Sequence, residues 1–187
     1  MNYVQPIRSK EKIEEMKQEL RKNGTRDYLL FIVGINTGLR ISDIIKLQAQ
    51  DILNSDRTLK THIEIIEQKT NKRKRFRLNY IWADELYQFI KSMNMEDYIF
   101  KSRNGVNKPI TRVRAYDLLN ETARKVGIQD EIGTHTLRKT FGYWFYQRTK
   151  DVAILQQIFN HSSPSITLRY IGINQDIVDR ELENFSL

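Results

Sequence analysis

Thr37-Gly38-Leu39-Arg40-Ile41-Ser42 lies early in the chain, His135-Thr136-Leu137-Arg138 in its last third, and His161 and Tyr170 follow downstream. Two arginines, two histidines and a tyrosine in a basic, cysteine-free protein point to phosphodiester chemistry with a tyrosine nucleophile. The transition state of such a reaction carries charge on the non-bridging oxygens. Without a metal, arginines must hold that charge, and their planar fork suits two oxygens at once. A nucleophile must attack phosphorus, and a general acid must protonate the departing hydroxyl. Phenolate is a reasonable leaving group, so a tyrosine–phosphate link can be reversed. The reaction then conserves bond energy and needs no ATP.

The bulk properties agree with a nucleic-acid partner. Lys and Arg number 31 against 23 Asp and Glu, a formal charge of +8, and a field of that sign favours nucleic acid first and an anionic membrane second. The 187 residues, 40% hydrophobic, suffice for one domain with a real core. With no cysteine there is no disulfide framework and no thiolate metal site. No His/Asp/Glu group has ligand spacing, so neither a metal nor any cofactor is expected. The N-terminus has no apolar run of signal-peptide length, and no segment approaches membrane-span length. The expected location is the cytoplasm of a bacterium or phage-infected cell, with no membrane partner.

Helical periodicity dominates the elements that must position these residues. Ser9 caps a helix to about Lys22 with Ile13, Met16 and Leu20 on one face, ended by Asn23-Gly24. Residues 26–37 read as a buried helix stopped by Gly38, and Ser42 caps a short helix through Leu47. The period then changes. Residues 62–67 and 73–78 alternate as strands around Gln68-Lys69-Thr70-Asn71-Lys72, a hairpin. Helices return over 83–93, 111–126, 134–149, 151–159, 164–171 and 175–185. The fold class is mostly α with one small antiparallel sheet (α+β), and 1–187 reads as a single domain. His135 and Arg138 are three apart on one helix, so they share a face near its N-terminus, where free N–H groups favour an anion. Tyr143 and Tyr146 are expected to pack on that helix, and His62 is read as structural.

The segment from Thr37 to Leu47 resembles the first arginine box of the tyrosine recombinases, the phage-integrase family. His135-Thr136-Leu137-Arg138-Lys139-Thr140-Phe141 resembles the family's His-x-x-Arg box. Phe159-Asn160-His161-Ser162-Ser163, followed by Ile166-Thr167-Leu168-Arg169-Tyr170, resembles its histidine and nucleophile box, and Gln68 to Arg73 its lysine-bearing hairpin. Each box alone is weak; four in order over about residues 25–175 are specific. The resemblance implies the catalytic domain of a site-specific DNA recombinase or integrase, independent of metal and ATP. It implies that Arg40 and Arg138 clamp the scissile phosphate and that Tyr170 attacks it to form a 3′-phosphotyrosine. Lys69 would protonate the leaving 5′-oxygen, His135 would assist proton transfer, and His161 would hydrogen-bond a non-bridging oxygen. Asn160 stands where the family commonly has glycine.

Two stretches without acids, Lys69 to Arg77 with six Lys/Arg and Lys101 to Arg114 with five, read as phosphate-backbone tracks. Lys72, Arg73, Lys74 and Arg75 belong to the first; Arg112 and Arg114, at a helix start, are candidates for groove contacts. The family's N-terminal DNA-clamping domain has no counterpart in residues 1–25. A single site should therefore be bound weakly, with self-assembly (a tetramer) on double-stranded DNA, or an accessory protein supplying the clamp. Residues 175–187, four acids against one Arg with Ile177, Val178, Leu182 and Phe185 roughly on one face, are expected to dock on a neighbouring protomer. Two other functions fit the same residues less well: a type IB topoisomerase, and a non-catalytic DNA-binding regulator, which has no need of Tyr170.

Overall fold

The computed structural model describes residues 4–69, 71–173, 182, 183 and 185. It opens on α1 (Lys10–Asn23), capped by the Ser9 hydroxyl, which accepts from the Lys12 N–H at 3.0 Å. Ile13, Met16 and Leu20 are its buried face. The central helix α2 (Thr25–Thr37) is apolar nearly all round and buried accordingly. Gly38, left-handed at φ 63°, ends it. Then come α3 (Ile41–Ile44), α4 (Ala49–Ile52), strands β1 (His62–Ile66) and β2 (Arg73–Arg77), and α5 (Tyr80–Ile90). The chain continues with α6 (Arg112–Lys125), α7 (Thr136–Thr149), α8 (Val152–Phe159) and α9 (Pro164–Ile171). The class is the expected one, mostly helical with one antiparallel two-stranded sheet.

Some boundaries differ from expectation, each for a local reason. Ser42 does not cap α3; Arg40 does, its carbonyl accepting from the Asp43 and Ile44 N–H groups at 2.9 and 3.0 Å. The helix starts as soon as the left-handed Gly38 has turned the chain. α4 was not anticipated; it is a four-residue turn secured by a reciprocal cap between Gln48 and Asp51. α5 begins three residues earlier than 83 because the Asn79 side chain accepts from the Ile81 N–H at 3.0 Å. α7 starts at Thr136, with His135 as its N-cap. The expected helix over 175–185 lies largely outside the described residues.

The sheet's register pairs Ile63 with Phe76 and Ile65 with Lys74. Paired residues share a face, so Phe76 and Lys74 turn inward while Arg73, Arg75 and Arg77 are exposed. The two cores meet at α7. The larger gathers α1, α2, α5 and α6 around Met16, Leu29, Phe31 and Leu118. The smaller gathers α8 and α9 around Leu155, Phe159 and Ile171, with Tyr143 and Tyr146 packed against it from α7 as expected. The N-terminal segment ties to α7: the Ile7 N–H donates to Thr140 Oγ1 at 2.9 Å, and Trp144 Nε1 donates to the Ile7 carbonyl at 3.0 Å. No helix among the described residues is long and apolar enough to cross a membrane.

Close approach of α7 to its neighbours requires glycine on both sides. A Cβ on Gly34 would lie 2.4 Å from Leu137, and one on Gly142 would lie 2.6 Å from Ile171 and 2.7 Å from Phe159. Gly142→Ala should therefore destabilise the protein by about 1–3 kcal/mol, the usual range for overpacking. The effect should appear as a lower urea midpoint at unchanged slope; an unshifted midpoint would mean that α7 and α9 can part at no cost.

Candidate active site

Arg138 is 2% exposed, on the first turn of α7. A buried guanidinium must be paired or hydrogen-bonded. Here Nη1 donates a short bond to the Gly38 carbonyl, Nη2 donates to the Phe159 carbonyl at 3.0 Å, and the group stacks over the Phe159 ring at 4.2 Å. The same side chain thus closes the C-terminal ends of α2 and α8. Arg40 sits two residues beyond Gly38, with its side chain 15% exposed and Nη1 2.7 Å from Glu67 Oε1. The pair is close but not aligned as a hydrogen bond, so Nη1 is a buried donor without a hydrogen-bond acceptor among the described residues.

Tyr170 is on α9, two residues before the left-handed Gly172 that ends the helix. Its hydroxyl lies 3.3 Å from His135 Nδ1. Its ring meets the rings of Phe159 and His161 edge-on at 5.5 and 5.1 Å, and Lys139 Nζ lies 5.1 Å from its centre. Burial raises the phenol's pKa; Arg138 and Arg40 beside it, with a hydrogen bond to Arg138, act the other way. The nucleophile candidate is therefore a neutral phenol that needs a base to take its proton. His135 can be that base. Desolvation in the cleft, then Arg138, Arg112, Arg40 and Lys139, push its pKa down, so the imidazole is neutral at ordinary pH.

His161 follows Asn160, whose left-handed conformation (φ 56°) ends α8 and turns the chain back over the site. Its Nδ1 lies 3.1 Å from the hydroxyl of the fully buried Thr167, leaving Nε2 for another partner. Burial first, and then Arg138, Arg40 and Lys74, hold its pKa down at about 4.

Lys69 is exposed at the hairpin turn and lines one cleft of about 390 Å³ with Arg40, Arg112, Thr134 and His135. The structure thus brings Arg40, Lys69 and His135 to one cleft, and His135 joins them to the Tyr170, Arg138 and His161 cluster. Of the six residues expected to make DNA contacts, Arg112 lines this cleft. Arg114, 52% exposed, faces Glu121 at 3.7 Å. Lys72 is exposed and donates to Asn160 Oδ1 at 3.4 Å, and Arg73 and Arg75 are exposed on the hairpin's outer face. Lys74 is apart from them, 12% exposed and 3.1 Å from Glu67 Oε1.

Four residues of the site went unnoticed in the sequence: Asp43, Glu67, Lys139 and Thr167. Asp43 accepts the Gln68 N–H at 3.1 Å, tying α3 to the hairpin. Burial, opposed by that bond, raises its pKa, and Glu67 adds to the rise. The alternation of β1 continued to residue 67 could have placed Glu67 on the inner face with Ile63 and Ile65; Asp43 and Thr167 carried no such signal. No group of three or more His, Asp or Glu among the described residues could hold a metal.

A model of the phage integrase family matches residues 8–176. The probable integrase/recombinase YoeC of Bacillus subtilis is 54% identical over 176 residues, 94% of this chain and 93% of that protein. The crystal structure of XerA recombinase superposes with a TM-score of 0.74 at 20% identity, covering 96% of this chain and 65% of that one. XerH site-specific recombinase bound to its difH substrate gives 0.70 at 22% identity, covering 91% and 51%. The fold is thus shared with those structures, and this chain spans about half to two thirds of their length.

In the folded chain His161 takes up a proton only near pH 4, against 6.5 for an ordinary histidine. Between those values the unfolded state binds more protons, so the contribution of His161 to stability is present above about 6.5 and declines as pH falls toward about 4. Urea midpoints at the two ends of that window should differ less in His161→Gln than in the wild type. An equal difference would mean that the fold does not lower the pKa of His161.

Proposed function

The chain belongs to the phage integrase family, and on that premise we propose that it is a site-specific recombinase that cuts and rejoins double-stranded DNA through a 3′-phosphotyrosine intermediate. The observation that carries this reading is the Tyr170 hydroxyl 3.3 Å from His135 Nδ1, beside the buried Arg138. A regulator that only binds DNA has no use for that arrangement.

In this reading Arg40 and Arg138 hold the non-bridging oxygens of the scissile phosphate. His135, neutral, takes the Tyr170 proton as Oη attacks phosphorus. The bond from phosphorus to the 5′-oxygen breaks, and Lys69, exposed over the cleft, gives that oxygen its proton. The anionic phosphate beside Nε2 favours a protonated His161, which donates there while its Nδ1 donates to the Thr167 hydroxyl. The product is a phosphotyrosine at the 3′ end and a free 5′-hydroxyl. Attack by another 5′-hydroxyl reverses the steps, so neither ATP nor a metal enters. Lys72, Arg73, Arg75, Arg112 and Arg114 supply charge along the backbone of the duplex; Lys74 acts from inside the site. Tetrameric assembly on DNA, a clamp from an accessory protein, docking of residues 175–187 on a neighbouring protomer and a cytoplasmic location belong to the same proposal.

Covalent trapping on a pool of nicked duplexes tests it, because cleavage beside a nick releases the short fragment and the adduct accumulates. Wild type should form a 3′-phosphotyrosine adduct, equally in EDTA, and Tyr170→Phe should bind DNA without forming it. Arg40→Ala should slow cleavage by ~10²–10³-fold, the usual loss for one transition-state donor. An adduct persisting in Tyr170→Phe would mean another nucleophile, loss in EDTA would end the metal-free mechanism, and a normal rate in Arg40→Ala would remove that arginine from the clamp.

A further inference from the structure

Glu67 is 1% exposed, immediately after β1. A carboxylate that far from water is retained only if paired. One of its oxygens, Oε1, lies 2.7 Å from Arg40 Nη1 and 3.1 Å from Lys74 Nζ. Its backbone closes the loop that carries Lys69: the Glu67 N–H donates to the Lys72 carbonyl at 3.0 Å, and the Asn71 N–H donates to the Glu67 carbonyl at 2.8 Å. The next residue, Gln68, donates its N–H to Asp43 at 3.1 Å. Glu67 is thus the joint between the loop of Lys69 and the strand of Lys74 on one side and Arg40 on the other.

The charges around Lys74 show what that joint does. Arg138 from α7 and Arg40 from before α3 face it, His161 feels it from beyond α8, and Glu67 is its carboxylate, with Asp43 behind. Burial and the two arginines hold the Lys74 ammonium down to about 8, with Glu67 opposing them. Without Glu67, three cations would crowd one buried place.

We propose that Glu67 is a positioning residue for strand cleavage: its carboxylate sets Arg40 and the Lys69 loop in register and keeps Lys74 charged as a third cation behind the scissile phosphate. The proposal rests on the recombinase reading, and Lys74 acts at the phosphate through its charge.

Two measurements test it, one without DNA. In the free protein, NMR titration of the Lys74 ε-methylene should give a midpoint near 8 in wild type and a lower one in Glu67→Gln. In single-turnover cleavage of the nicked duplex at saturating protein, Glu67→Gln should be slower by roughly 10–100-fold, the scale of a misplaced catalytic group, without weaker DNA binding. Its alkaline fall in rate should begin at lower pH than in wild type. Lys74→Arg in the Glu67→Gln background should remove that shift, since a guanidinium keeps its proton, and Glu67→Asp should recover part of the rate. An unmoved Lys74 titration, a wild-type rate and pH profile in Glu67→Gln, or a shift that survives Lys74→Arg would each overturn the proposal. If Glu67→Gln does not fold, Lys74→Met, which deletes the third cation, replaces it in the cleavage assay, and a wild-type rate and pH profile there would overturn the proposal equally. Absence of an adduct in wild type itself would instead sink the recombinase reading.

Discussion

A buried guanidinium is the constraint on which the rest of this structure depends. Arg138 sits between two apolar cores with almost no exposure, where an uncompensated charge would be prohibitive. The fold compensates it with two backbone carbonyls, at Gly38 and Phe159, and an aromatic face. Those carbonyls are available because each belongs to a helix end, whose last carbonyls have no intrahelical acceptor role left to fill. Gly38 and Asn160, both left-handed, turn the chain sharply at those ends. Gly38 cannot be larger, since a Cβ there would meet Phe141 at 2.4 Å, one turn along from Arg138. The turn at Gly38 delivers Arg40, and the turn at Asn160 delivers His161. One side chain therefore holds in place the segments that carry two others.

The site is organised by an excess of positive charge that the fold only partly offsets. Arg40, Arg138 and Lys74 converge on Glu67 and Asp43, and both carboxylates are buried. The histidines respond to the same field and stay neutral. Such a cluster accepts an anion readily, because its donors are already desolvated and fixed and need little reorganisation when charge develops. Lys69, unlike Arg40, Arg138, His161 and Tyr170, is on an exposed turn, where it is free to move relative to the fixed cations.

Much of this was legible in the residues themselves. Helical periodicity and the cap signals at Ser9, Gly24 and Gly38 place α1 and α2 within a residue or two. The errors came where a cap was of an unexpected type, as with Arg40 before α3, or where a four-residue turn such as α4 has too little sequence to show a period. The basic run on the hairpin read as one phosphate track, yet strand alternation turns Lys74 inward with Phe76 while Arg73, Arg75 and Arg77 stay outside. That division was present in the sequence, masked by the uniform charge of its neighbours.

What the sequence determined alone were local matters: the elements, their caps, and residue types whose order resembles a known set of boxes. Chain order carries those because helix and strand periods are set by neighbours three, four or two positions away. What only the tertiary structure decided was which groups share a space. That His135 meets a tyrosine 35 positions later depends on how α7 packs against α9, and that one oxygen of Glu67 serves both Arg40 and Lys74 depends on how the hairpin closes against α3 and the turn before it. Burial then sets the charge state of each group. A sequence names ionisable side chains; desolvation and the cations brought beside them, which exist only in the folded chain, decide whether they hold a proton.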